Sequence, residues 1–153
     1  MPTTAQSNRK FRKFRKLVFI FLLGLIAVVI YLGVRQQGPW RVPEAAKARK
    51  NPLSASPDSI DSIKPAYREH CAECHGESGK GDGTKAIRYR PRPTDFTDAT
   101  HLNAASDGEL FYKISEGRRP MPGFSNRLPE EQRWQLVLLI RTFAQPARAL
   151  GHQ

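Results

Sequence analysis

Apolar side chains fall into three patterns along this chain, and each predicts a different kind of element. The first is unbroken: Leu17–Val34 (LVFIFLLGLIAVVIYLGV) is uncharged and almost wholly apolar. At 1.5 Å per residue it makes a helix about 27 Å long, enough for a hydrocarbon core, with Phe14, Tyr31 and Trp40 near its edges. The second pattern is a narrow stripe. Leu110, Phe111 and Ile114 lie between Ser106-Asp107-Gly108-Glu109, which reads as a capping box, and Gly117, a helix stop. The third is broad. Trp134, Leu136, Val137, Leu138, Leu139, Ile140 and Phe143 cover more than one face of a helix that starts near Pro129, carries Glu130 and Glu131 at its positive end and stops before Pro146. A further helix is expected over Ile63–Ala72, with Pro65 in its opening turn. Gly76–Pro93 is a glycine- and proline-rich loop without periodicity, and no alternating strand is visible. The fold class read from this is all-α.

These patterns divide the chain into a tail (1–16), an apolar span (17–34), a linker broken by Pro39, Pro43, Pro52 and Pro57 (35–58), a folded domain (59–146) and a C-terminal tail (147–153). Ala45–Lys50 is expected to form at most a turn or two of helix. The linker would reach roughly 27 Å if flexible and about 75 Å if fully extended. No internal repeat appears.

Charge changes the picture through its placement. The net charge of +11 is concentrated at the N-terminus, where Arg9, Lys10, Arg12, Lys13, Arg15 and Lys16 stand without an acidic partner. From Ser59 to Gln145 there are 13 Lys/Arg against 12 Asp/Glu, so the domain itself is close to neutral. A basic face for nucleic acid is therefore not expected. Basic residues before the apolar span, with only Arg35 and Arg41 after it, put the N-terminus in the cytoplasm and the domain on the periplasmic or extracytoplasmic side. The alternative is a cleaved signal peptide. The span is long for that role, and Gly33-Val34-Arg35 is a poor small-x-small site.

Both cysteines of the chain lie in Cys71-Ala72-Glu73-Cys74-His75. C-x-x-C-H is the attachment site of a c-type haem: two thiols one turn apart add to the two vinyl groups, and the next residue offers an imidazole to the iron. Structural zinc wants four Cys/His ligands, and no other cysteine exists. A thioredoxin-like pair needs a βαβ setting that is absent here. The expected cofactor is one covalently bound haem c, on Cys71 and Cys74, with His75 as an axial iron ligand. A porphyrin would also complete the core of a domain near the lower size limit for folding alone. It would cover one side of the last helix. Gly76–Gly83 is no phosphate loop, because Cys74 and Gly81 stand where a glycine and a Ser/Thr are required. These glycines are expected to let the backbone pass close to the porphyrin.

For the second axial position Met121 is the candidate, between prolines in Arg118-Arg119-Pro120-Met121-Pro122-Gly123-Phe124. Core filling is the ordinary role of a lone methionine, but flanking prolines fix an irregular backbone that presents the side chain. His70 is expected to point away from His75, His101 to sit in a polar loop and His152 in the tail. Lys85, Arg88, Arg90 and Arg92 are either solvated loop charges or include a partner for a haem propionate.

Tyr67-x-x-x-Cys71-Ala-Glu-Cys74-His75-Gly76, Gly79-x-Gly81-Asp82-Gly83, Pro93-Thr-Asp95-Phe96, Asp107-Gly-Glu109-Leu110-Phe111, Met121-Pro122-Gly123-Phe124 and the Glu131–Phe143 helix resemble, in this order, a class I monohaem cytochrome c. The resemblance implies the cytochrome c fold, His75/Met121 ligation and one-electron transfer at an exposed haem edge. It further implies that a proline carbonyl within Arg90–Pro93 accepts the Nδ1–H of His75. Ile63 and Pro65 depart from the family's first helix, where a glycine often allows close crossing with the last. The expected protein is thus a membrane-tethered electron carrier rather than an enzyme, or else a fixed haem subunit of a dehydrogenase or oxidase complex. A gas sensor or enzyme would need an open sixth position. Partners would be the membrane, through one helix, and redox proteins such as a quinol-oxidising complex or terminal oxidase. No nucleic acid or small-molecule substrate is expected.

Overall fold

The computed structural model describes residues 4–36 and 38–144, with side chains over 12–33 and 38–144. His152 and the 147–153 tail lie outside the described residues. The chain divides into two units, Met1–Arg41 and Val42–Gln153.

The first unit is one helix, α1 (Thr4–Gln36), which contains the whole apolar span. Its segment Arg12–Gly33 is long and apolar enough to cross a membrane, and its described side chains are all exposed. No described residue of this unit buries them.

The second unit holds α2 (Glu44–Lys47), α3 (Pro57–His70), α4 (Ala72–His75), a 3₁₀ turn (Ala86–Arg88), α5 (Ala99–Ala104), α6 (Asp107–Glu116) and α7 (Glu130–Phe143). No strand occurs among the described residues, only a bridge between Arg118 and Met121. The core is built mainly where α7 packs on α3 and α6. Ile63, Leu102, Trp134, Leu136 and Val137 are almost fully buried there, each worth about 1.5–3 kcal/mol of transfer free energy. The broad apolar surface of α7 thus serves two helix neighbours. Ile63 is 2% exposed, so the bulk that replaces the family's glycine is absorbed inside the core.

The α6 and α7 boundaries match their sequence signals. Ser106 Oγ accepts from Glu109 N at 3.1 Å, and Gly117 at φ +65° ends α6. The box is only half closed, because the Glu109 carboxylate pairs with Lys113 at 2.6 Å. α3 differs from expectation. It starts at Pro57 rather than Ile63, so Pro65 lies inside it, on an exposed position, and not in its opening turn. The reason is a complete capping box made by two serines: Ser59 N donates to Ser56 Oγ, Ser56 N donates to Ser59 Oγ, and Pro57 sits at the first helical position. An interior proline costs about 3 kcal/mol. Packing of Ile63 and Tyr67, both buried, offsets it.

The 35–58 segment is also corrected, since only its first part lies outside the domain. Val42 is buried, α2 packs on α6, and Leu53 packs against the core. Asn51 Nδ2 donates to the Trp134 carbonyl at 3.1 Å, and Arg49 pairs with Glu130 at 2.6 Å. Local sequence carries only the prolines of this stretch, while its partners lie some sixty to eighty residues downstream. α5 was not expected: Asp98 caps it by accepting from Thr100 N and His101 N, so His101 is an exposed helical residue and not a loop one.

Candidate haem site

Tyr67 leads into the attachment motif. Its hydroxyl donates to the Gly76 carbonyl at 2.8 Å, which fixes the far end of α4 against α3. At Cys71 the chain breaks from α3 and restarts as α4, with Cys74 N and His75 N both bonded to the Cys71 carbonyl. Cys71, Cys74 and His75 therefore share one short turn. Both cysteines are free thiols and half-buried. Burial pushes the Cys71 thiol up to about 12, with the neighbouring Cys74 adding to the effect. Burial also lowers the His75 pKa, against a smaller opposing effect of its hydrogen bond to Thr94. A neutral imidazole is the form that binds iron.

His75 Nδ1 lies 3.3 Å from the Thr94 carbonyl. The acceptor is thus the residue just after Arg90–Pro93 and not one of its prolines. The Phe96 N bond to the Gly79 carbonyl, at 2.7 Å, sets where this strand of loop runs. With Nδ1 committed to a carbonyl, Nε2 is the nitrogen left for a metal. Phe96 stacks on the His75 ring at 4.6 Å, Phe143 lies nearly parallel to Phe96 at 6.5 Å, and Tyr67 tilts against Phe143 at 5.3 Å. Pattern reading found these rings as core or motif positions. It missed that they form a continuous wall behind His75, since the contacts join α3, α7 and the loop.

The glycines of 76–83 are required by the packing of this chain on itself. At each, an added Cβ would strike this chain itself: Asp82 at Gly76, Phe143 at Gly79, the Pro93 carbonyl at Gly81 and the Ala72 and Glu73 carbonyls at Gly83. Gly79 is the clearest case. It sits at φ +76°, and a Cβ would lie 2.7 Å from the Phe143 ring. Of the basic cluster in the following loop, Lys85 is committed to Glu73 at 2.7 Å, and Arg90 folds back on the Tyr89 and Ile87 carbonyls. Arg88 and Arg92 are exposed.

Met121 comes from a separate turn. Arg118 N donates to the Met121 carbonyl at 2.9 Å and Met121 N to the Arg118 carbonyl at 2.8 Å, closing a tight loop around the cis Arg119-Pro120 bond. Gly123 then approaches Glu116 and Ser115 closely, and Phe124 N bonds the Ile114 carbonyl, so the loop is sewn to the end of α6. Met121 is half-buried and packs on the same core cluster as Cys71. His70 lies against the Phe124 ring at 5.8 Å. Among the described residues no cluster of three or more His, Cys, Asp and Glu could hold a metal ion. The thiol pair and imidazole on one turn, backed by an aromatic wall, fit a haem held covalently.

The comparisons bear on this geometry. No curated protein matches the chain. Among solved structures, the Kuenenia stuttgartiensis reducing HAO-like protein complex Kustc0457/Kustc0458 aligns over 69% of this chain at 26% identity, with a TM-score of 0.53. The alignment covers 53% of that chain, so this protein spans about half of its length. The KustC0563 c-type cytochrome aligns over 54% of this chain and 96% of its own at 28% identity, with a TM-score of 0.46. The family profile described as cytochrome c oxidase, cbb3-type, subunit III matches residues 58–140, more than half of the chain and the whole of α4 with both cysteines. The chain belongs to that cytochrome c family, and it is a c-type cytochrome with covalently bound haem c.

Proposed function

We propose that this protein is a membrane-anchored one-electron carrier whose haem is held by Cys71 and Cys74 and ligated by His75 and Met121. The observation that carries the reading is the α4 turn, where two free cysteines precede a histidine whose Nδ1 is already turned to the Thr94 carbonyl. The bound haem supplies a reversible one-electron couple. The protein's residues do the rest. Cys71 and Cys74 fix the orientation of the group, and Thr94 and Phe96 hold the His75 ring in place. A thioether from Met121 favours the reduced state and fills the position that a gas or substrate would need. On this reading α1 stays in the membrane with its basic N-terminus in the cytoplasm, and the haem domain works on the outer face. The donor and acceptor are redox proteins of that membrane.

A second reading is a fixed haem subunit of a larger oxidoreductase. It is favoured by the family description, which is that of an oxidase subunit, and by the packing of 42–53 onto the domain. The test separates anchor from chemistry. Haem-stained denaturing gels of membranes washed with high salt and carbonate should keep a band of full-length size, and Cys71→Ala with Cys74→Ala should remove the stain. A stained band in the double variant overturns the haem assignment. A soluble product starting near Arg35 overturns the anchor. Elution of the mild-detergent extract alone, or with partners, decides between carrier and subunit.

A further inference from the structure

Chain following the anchor is shorter than its sequence suggests, because most of the expected linker is seated on the domain. The seat is built from both sides. Ser106 Oγ, while capping α6, donates to the Lys47 carbonyl at 2.7 Å. The Arg49 guanidinium stands 4.6 Å over the Phe111 ring and 5.2 Å over Trp134, rings that stack on each other at 3.9 Å, and it pairs with Glu130 at 2.6 Å. Asn51 ties to the Trp134 carbonyl and Leu53 reaches the core. Gly108 has no side chain for a reason: a Cβ there would lie 2.1 Å from the Ala46 carbonyl oxygen and 2.6 Å from that of Arg49. A helix surface left open to solvent would not need that gap.

We propose that residues 42–53 are a docked strap that sets how far the haem domain can travel from its anchor, favouring redox partners held in the same membrane. The proposal rests on the membrane-anchored reading above. α1 ends at Gln36 and the domain begins at Val42. Residues 37–41 span at most about 20 Å, whereas with the strap released 37–56 would span about 70 Å. The docked reach is shorter than the diameter of a domain of this size, about 30 Å. A partner in the bilayer then meets the haem at high effective concentration, and a freely diffusing one gains nothing from the tether.

The experiment uses the full-length haem protein in native membranes. Trypsin should cut wild type slowly after Lys47, Arg49 and Lys50, of which the Lys47 and Lys50 cuts are common to every variant below. Gly108→Ala should speed both cuts roughly tenfold by raising the open population. Arg49→Glu, which leaves α6 intact, should do the same, and adding Glu130→Arg should restore protection. In the released variants, transfer to the membrane's own acceptor should slow about tenfold. Oxidation by ferricyanide, which diffuses freely, should be unchanged. Equal cutting of wild type and both variants overturns the strap. Faster cutting with unchanged transfer to the membrane acceptor overturns its role in reach. Loss of the membrane association or of the haem in wild type would instead defeat the function proposed above, and the cleavage pattern would still judge the strap.

Discussion

Arg141 shows how much a single side chain organises here. Its Nε donates to Asp107 Oδ1 at 2.9 Å, and its two terminal nitrogens reach the Leu102 and Ala105 carbonyls at 2.6 Å each. One guanidinium thus joins α7 to the start of α6 and the end of α5, adding a charged donor to the Leu102 carbonyl, which also accepts from Ala105 N, and to the carbonyl of Ala105 just past the helix. Arg141→Ala should cost about 2–3 kcal/mol, because three acceptors lose a charged donor at once. Arg141→Lys should recover only part of that, since an ammonium cannot span all three in one plane. Chemical denaturation of the haem-loaded protein measures both. Equal stability of Arg141→Ala and wild type would show that the network is idle. At this scale the haem-attaching cysteines were legible from the chain, because C-x-x-C-H is local. The Thr94 acceptor was displaced by one position from the expected prolines, since backbone direction in an irregular loop is set by contacts such as Phe96 N to Gly79 O.

Among elements, the loop of 76–83 is held by chain-to-chain contacts. Gly79 accepts the edge of Phe143, which in turn lies along Phe96 and Tyr67, so the loop, α3 and α7 share one aromatic stack. Gly79→Ala meets both a positive φ and a ring at 2.7 Å. It should destabilise by about 2 kcal/mol, lowering the midpoint by about 10 °C for a domain of this size. Ser78→Ala, at an exposed neighbour, should be near neutral. Thermal unfolding followed by circular dichroism gives the comparison, and a Gly79→Ala midpoint equal to wild type would contradict the packing. Helices with end signals in standard form, α6 and α7, were readable to the residue or nearly so. α3 was misplaced because its cap uses Ser59 where the usual signature has Glu or Gln, and because Pro65 looked like a start. The strap was missed for a different reason. Its prolines describe a linker locally, and only the absence of a side chain at Gly108, far along the sequence, records that something is seated there.

For the whole molecule, the two units divide the work. On the proposed reading the apolar α1 gives a place in the membrane, and the 42–144 unit gives a small core whose helices converge on a cysteine-bearing turn. A domain of this size is marginal by itself, so the covalent group is expected to be structural as well as functional. Met121 is the residue on which the electron-carrier reading turns, because it decides whether the sixth position is closed. The decisive measurement is therefore the far-red absorption of the oxidised protein, with carbon monoxide binding to the reduced one. Wild type should show the weak sulfur-to-iron charge-transfer band and bind no carbon monoxide, while Met121→Ala should keep its haem, lose the band, fall in potential and bind carbon monoxide. A wild-type protein that lacks the band, or that binds carbon monoxide as readily as the variant, would contradict the His75/Met121 assignment and point to chemistry at an open iron.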